Sequence, residues 1–269
     1  MTGARLALPP RRHHRAQTVL LAVVVIAVVL TGAAFAVRAW LTMAPSRVSV
    51  GTAVDRYRSS TSAPAPSPAG TPAPGVYVYT TSGRESVDAL GGDTHDYPNP
   101  STTTVTATAC GFDMTWAPLS GRSDTTHVCT DGAALRITAM ENAHEFFRIT
   151  QIERFTCDAT TWWLPPPGTT SWTSTCRSDT RTEIRTAHVV DREPVVVGGS
   201  TVAALHVHRD DVVTGDSTGT SATDLWLDAT NGLLLREHSS VQTGNDTAIG
   251  HVTFHEDIEL DLDSKEPLR

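Results

Sequence analysis

The sequence predicts an all-β, antiparallel domain with few helices, exported behind a single N-terminal transmembrane helix. Three observations carry that prediction. Residues Ala16–Val37 contain no charged side chain across 22 residues. From Val76 onward, short runs rich in Thr, Val and aromatics are separated by Gly, Asn, Asp and Pro. The four cysteines fall into two windows of identical spacing.

Residues 1–15 form a basic tail carrying Arg5, Arg11, Arg12 and Arg15. The apolar run 16–37 is long enough for a spanning helix, which needs about 20 residues. A basic flank on its N-terminal side keeps the tail cytoplasmic and puts everything after Val37 outside. The competing reading is a cleaved signal peptide, because Ala34-Phe35-Ala36 has the small-x-small form. Length favours the anchor, since signal-peptide apolar regions run only about 7–15 residues.

Residues 38–75 form a juxtamembrane segment and linker. Thr52 is a candidate cap for a short helix that would bring Val54 and Tyr57 to one side. Ser59–Gly75 is built only from Ser, Thr, Ala, Pro and Gly, a composition that cannot bury a core and makes a semi-extended spacer.

Residues 76–262 have the length of one β domain, followed by a tail at 263–269. The expected strands are Val76–Thr80, Glu85–Leu90, Thr103–Trp116, Ala134–Ala139, Gln151–Cys157 and Thr182–Val190. Beyond them come Pro194–Val197, Val202–Val213, Ala222–Asp228, Leu233–Val241 and Ile249–Leu260. Asn231-Gly232 marks a hairpin between two of them. Met140–Ile149 is the one ambiguous stretch, with a pattern that could begin a helix.

Both cysteine windows read C-x5-W-x-P-x2-G-x7-C, matching Trp116 with Trp163, Pro118 with Pro165 and Gly121 with Gly168. Turn residues lie midway in each, so each window reads as a stapled hairpin. Four cysteines allow three connectivities. The hairpin reading favours Cys110–Cys129 and Cys157–Cys176, each worth about 3 kcal/mol in the chain-entropy model. Zinc is the alternative, but no C-x2-4-C pair is present. On this reading Cys110, Phe112, Met114 and Trp116 share one face.

All 29 acidic residues follow Val54, whereas six of the 21 basic ones precede it, leaving the outer part with 15 basic and 29 acidic side chains. A surface that acidic disfavours nucleic acid as a partner. Arginine outnumbers lysine 20 to 1, as expected of a GC-rich bacterial genome.

Candidate sites are few. Gly215-Asp216-Ser217-Thr218-Gly219 has the nucleophile-elbow form, with Asp224 or Asp228 and then His238 following. The strand-turn-helix context that makes such a serine reactive is missing. His206 and His208 share a strand face, as do His251 and His255, and neighbouring strands could gather them around zinc or copper. Yet Arg209-Asp210-Asp211 follows directly, which reads as a solvated edge. Trp162, Trp163 and Trp172 cluster near one hairpin tip, either as core or as a partner surface. No phosphate-binding glycine loop appears. The reading therefore assigns no catalytic residue, no metal site and no cofactor.

Thr223-Asp224-Leu225-Trp226-Leu227-Asp228, then Asn231-Gly232-Leu233-Leu234-Leu235-Arg236 and the strand Val252–Leu262, resembles a hairpin of lipoprotein-carrier (LolA-like) envelope proteins. The resemblance implies a strongly curved antiparallel sheet, an open or half barrel, with an apolar concave side that takes acyl chains or senses envelope components. Leu225, Leu227 and Leu233 would point inward.

The expectation is a non-enzymatic protein of the cell envelope, integral to the membrane through one span. Its external domain would bind an apolar ligand, a lipid or an envelope protein. A protein-interaction or signalling module is the alternative, and a serine hydrolase using Ser217 a weaker one.

Overall fold

The computed structural model describes residues 12–60, 68–247 and 250–269, with side chains described from Ile26 onward. Helix α1 (Arg12–Leu41) belongs to one unit, Met1–Met43, and the β domain to another, Ala44–Arg269. Among the described residues no helix is long and apolar enough to cross a membrane. The expected span begins at Ala16; its first side chains, to residue 25, lie outside the described residues, as does most of the basic tail. Val28, Leu30 and Phe35 of α1 are exposed.

Helix α2 (Val50–Ser60) forms where a short helix was expected and buries Val54 and Tyr57 with Ala53. Its cap is Ser49 rather than Thr52: the Thr52 N–H donates to Ser49 Oγ at 3.1 Å. The helix belongs to the β unit. The Val48 N–H donates to Pro118 O at 2.9 Å, and the apolar face packs on Val76.

The first strands are β1 (Gly75–Val87), β2 (Asp93–Asp96), β3 (Ser101–Ala107), β4 (Gly111–Leu119), β5 (Arg122–Asp131), β6 (Ala134–Phe146) and β7 (Ile149–Cys157). They are followed by β8 (Trp162–Leu164), β9 (Ser171–Arg177), β10 (Arg181–Val197), β11 (Ser200–Gly215), β12 (Thr218–Asp228), β13 (Leu234–Thr247) and β14 (Gly250–Leu262). All pairings are antiparallel, and twelve of the strands close a ring in the order β1, β14, β13, β12, β11, β10, β9, β7, β6, β5, β4, β3 and back to β1. β2 adds to β1, and β8 to β6.

The barrel is thus closed, not open or half. Closure comes from β1, which uses both edges. Tyr79–Val87 pairs with β14 on one side, and Gly75–Tyr79 pairs with β3 on the other. Gly83 permits the approach, since a Cβ there would stand 2.0 Å from Asp257 O.

Other expectations are corrected locally. Thr103–Trp116 is two strands, turned at Thr108–Cys110, and Glu85 continues β1 rather than starting a new strand. Thr182–Val197 is one strand with a bulge between Val189 and Asp191. Pro194 is tolerated because β10 beyond His188 pairs with β11 alone. Met140–Ile149 is not helical: β6 runs to Phe146 and returns through Phe147 and Arg148, both in the left-handed region at φ 53° and 63°.

Cys110–Cys129 and Cys157–Cys176 are both bonded, and no cysteine is free among the described residues. The twin windows are nonetheless built differently. The first is the β4–β5 hairpin. In the second, the chain leaves β7, adds β8 to β6, and returns as β9, which meets β7 at only two residue pairs, Thr156–Arg177 and Cys157–Cys176. Trp116 and Trp163, matched in the repeat, are both buried.

Candidate ligand-binding lumen

Twelve strands make a ring wider than side chains alone fill; about eight give a packed interior. The lumen holds a cavity of about 1050 Å³. One end is shut. There Leu227, Leu233 and Leu235 are buried, and the Trp163 indole N–H donates to Gly232 O at 2.7 Å. Gly232 sits at φ 72° and a Cβ on it would stand 2.4 Å from Leu135 Cδ1, so the β12–β13 turn is pressed into the floor. The other end is open, because Leu90 of the β1–β2 loop and Ile149 and Ile152 of β7 line the cavity while being 54%, 66% and 50% exposed.

Three zones follow one another from floor to mouth. Met114, Trp116, Ile137, Leu225, Leu234 and Leu260 line the deep part. A belt of charge crosses the middle. Phe146, Phe147, Val252 and Phe254 ring the mouth.

The belt centres on Arg122, which is 2% exposed. Its guanidinium binds both oxygens of Asp124 at 2.6 Å, reaches Glu256 Oε1 at 2.7 Å and lies 3.3 Å from Glu85 Oε2. Burial works against the charge, but these carboxylates outweigh it and hold the guanidinium more basic than usual. The Tyr97 hydroxyl donates to Glu256; burial and that negative charge push the phenol far up.

Glu85 is wholly buried and faces His95 Nδ1 at 3.1 Å and His144 Nδ1 at 2.9 Å. Burial raises its pKa, yet the hydrogen bonds from His144 and His95, with Arg122, win and lower it to about 2. His95 is depressed by burial and raised more strongly by Glu85 and Asp93, a net rise. On the opposite wall Arg185 binds Glu183 at 2.6 Å and Arg209 binds Asp211 at 3.0 Å.

Glu237 stands apart. It projects into the lumen from β13, in register between Leu225 of β12 and Leu260 of β14, and no hydrogen-bond partner meets it among the described residues. Burial pushes its pKa up to about 7, opposed by Arg209 and reinforced by Asp124 and Glu256.

One carboxylate–imidazole group among the described residues has ligand spacing: Glu85, His144 and Glu256 offer atoms within 4.8 Å of one another. The Arg122 guanidinium already neutralises both carboxylates, which sets it in competition with any cation there.

The histidines singled out in the sequence do not come together. His206 and His208 lie on β11 and share Asp224 Oδ1 at 2.8 and 3.0 Å, while His251, on β14 with two strands between, pairs with Asp246. The segment Arg209-Asp210-Asp211 is not a solvated edge, since Arg209 and Asp211 line the lumen and only Asp210 is exposed. Ser217 sits at the β11–β12 turn on the rim and makes no hydrogen bond to a histidine among the described residues. Trp162 is half-buried on β8, and Trp172 packs against the core. Leu225, Leu227 and Leu233 are all buried, but only Leu225 lines the cavity.

The belt escaped sequence reasoning because inward and outward positions alternate identically along a strand. A charged residue at an inward position looks like any solvated one. The run Arg209–Asp211 beside buried Val207 and Val213 was the available signal.

No family model and no curated protein matches the chain. Among solved structures it is similar to a hypothetical lipoprotein, YmcC of Escherichia coli K12, at 11% identity and a TM-score of 0.34, over 70% of this chain and 86% of that one. The resemblance to LolA-like carriers finds no support in these comparisons.

Proposed function

We propose that this chain is a non-enzymatic, membrane-anchored envelope protein whose exported barrel binds a largely apolar small ligand in its lumen. The observation that carries the reading is the shape: a closed ring, shut at the floor and open at the mouth, around about 1050 Å³. Ligand sites typically occupy about 300–1000 Å³ and combine apolar walls with a few placed polar groups. The floor and mouth supply the first and the belt the second. The disulfides fit an oxidising, extracytoplasmic compartment. Anchoring rests on the uncharged run 16–37 and on the exposed apolar side chains of α1.

A second reading, a protein-interaction module, is favoured by β7. Its outer half, Ile149–Arg154, pairs only with β6 and exposes Ile149 and Ile152 along a free edge. The two separate in native mass spectrometry of the full chain released from mild detergent. Lumen binding predicts a bound small molecule that disappears in Leu225→Trp, a change that fills the deep cavity. An unliganded wild-type chain with the same mass as the variant less the substitution argues against the lumen.

A further inference from the structure

The lumen reading leaves the ligand's polar chemistry open, and the inventory of charges in the cavity wall narrows it. Eight carboxylates line the cavity: Asp124, Glu153, Asp179, Glu183, Asp211, Asp216, Glu237 and Glu256. Five arginines face them, and each is already committed: Arg122 to Asp124 and Glu256, Arg154 to Glu141, Arg181 to Glu153, Arg185 to Glu183, Arg209 to Asp211. Asp179 and Asp216 lie in exposed turns at the rim, where water solvates them. Glu237, half-buried on the wall, is therefore the one carboxylate below the rim that forms neither an ion pair nor a hydrogen bond among the described residues, although Arg209 and Arg122 act on it from farther off.

Its neighbours say what kind of cation suits it. A metal ion wants several oxygen or nitrogen ligands at once. Glu237 instead has Leu225 and Leu260 beside it in register, an apolar wall with a single acceptor. That pairing matches an organic ammonium carried on a hydrocarbon body. A second, independent observation is that Asp211, 4% exposed on the same wall, leaves Oδ1 without a partner, although Arg185 Nε opposite is also unpaired. This wall thus carries polar groups that the protein's own hydrogen bonds leave unsatisfied.

We propose that the lumen selects a ligand with a compact apolar body and one basic amine, the ammonium pairing with the Glu237 carboxylate while the body lies against Leu225, Leu234 and Leu260. This deepens the lumen reading and rests on it. The raised pKa of Glu237 agrees with the geometry: desolvation, with Asp124 and Glu256, outweighs the pull of Arg209 and Arg122 and holds the proton up to about pH 7, and an incoming ammonium in direct contact displaces that proton. Amine binding should then strengthen as pH rises from 6 to 8.

Isothermal titration of the full chain with three probes of one shape tests this: 1-aminoadamantane, 1-adamantanol and adamantane-1-carboxylate. The expected ranking puts the amine at least tenfold tighter than the alcohol, about 1.4 kcal/mol, with the carboxylate weakest. Glu237→Gln should bring the amine down to the alcohol's affinity and leave the alcohol unchanged. Equal binding of amine and alcohol overturns the amine proposal while the lumen reading stands. Failure of all three to bind overturns both. Should Glu237→Gln not fold, the ranking and its pH dependence in the unaltered chain decide alone.

Discussion

Arg122 on β5 and Glu256 on β14 meet at 2.7 Å inside the barrel, joining two strands that are not neighbours but are separated in the ring by β4, β3 and β1. The pair acts as an internal brace across the wall where β1 closes the ring. Both side chains are buried, so removing Arg122 leaves the Glu256 carboxylate with the Tyr97 hydroxyl as its remaining partner in the belt.

Arg122→Met should cost about 3–5 kcal/mol at pH 7, the usual penalty for breaking a buried pair from one side. It strands Glu85, Asp124 and Glu256 together, so the loss should shrink near pH 5 as the carboxylates take up protons. Urea denaturation at the two pH values checks both points, and a loss that is small or insensitive to pH would mean that the brace does not act as described.

Stability should pass through a plateau set by Glu85 and His95. Glu85 has a depressed folded pKa, about 2 against an ordinary 4.5, so its contribution is present above 4.5 and disappears as pH falls from there toward 2. His95 has a raised folded pKa, so its contribution is present below the ordinary 6.5 and is lost as pH climbs through the raised value. The limbs share the Glu85–His95 contact, so Glu85→Gln should remove the acid limb and weaken the alkaline one, which Asp93 also supports, in a plot of unfolding free energy against pH. A variant whose alkaline limb is unchanged would assign that limb to another group.

The two disulfides close loops of equal sequence separation, 19 residues, and the chain-entropy model gives each about 3 kcal/mol. Their positions differ. Cys110–Cys129 staples a hairpin already laddered along its length, whereas Cys157–Cys176 sits in the seam where β7 and β9 meet at two residue pairs. Replacing Cys157 and Cys176 by Ser should lower the melting temperature more than the same change at Cys110 and Cys129. It should also raise amide exchange along β7 and β9 selectively. Equal shifts would show that the seam holds without its covalent link.

Phe147 and Arg148 occupy left-handed backbone in the two-residue turn between β6 and β7, a place that Asn-Gly fills without strain. Replacing Phe147-Arg148 by Asn-Gly should stabilise the barrel by about 1–2 kcal/mol, since each non-glycine residue there costs about 1 kcal/mol. Phe147 also lines the mouth, so the same variant should bind lumen ligands more weakly. Measuring stability and ligand affinity in one preparation separates strain kept for function from strain that is incidental.

Much of the local structure was written in the residues alone. Two-residue periodicity and turn chemistry marked most strands, and the cysteine spacing marked both bridges. Asn231-Gly232 marked its hairpin because a positive φ at Gly232 needs a residue without Cβ. The β6–β7 turn was missed for the converse reason: Phe-Arg carries no turn signature, and the extended pairing of β6 with β7 holds it in a conformation its own preferences oppose.

Closure and the charged belt belonged to the tertiary structure. Whether β1 meets β14 depends on curvature accumulated over twelve strands and on one close approach at Gly83, neither of which leaves a mark within any single strand. Which face of a strand becomes the interior is settled only when the ring closes. Until then Glu85, Arg122, Asp211, Glu237 and Glu256 are five polar residues among many; afterwards four of them are buried and Glu237 half-buried inside one ring, where charge is costly unless paired.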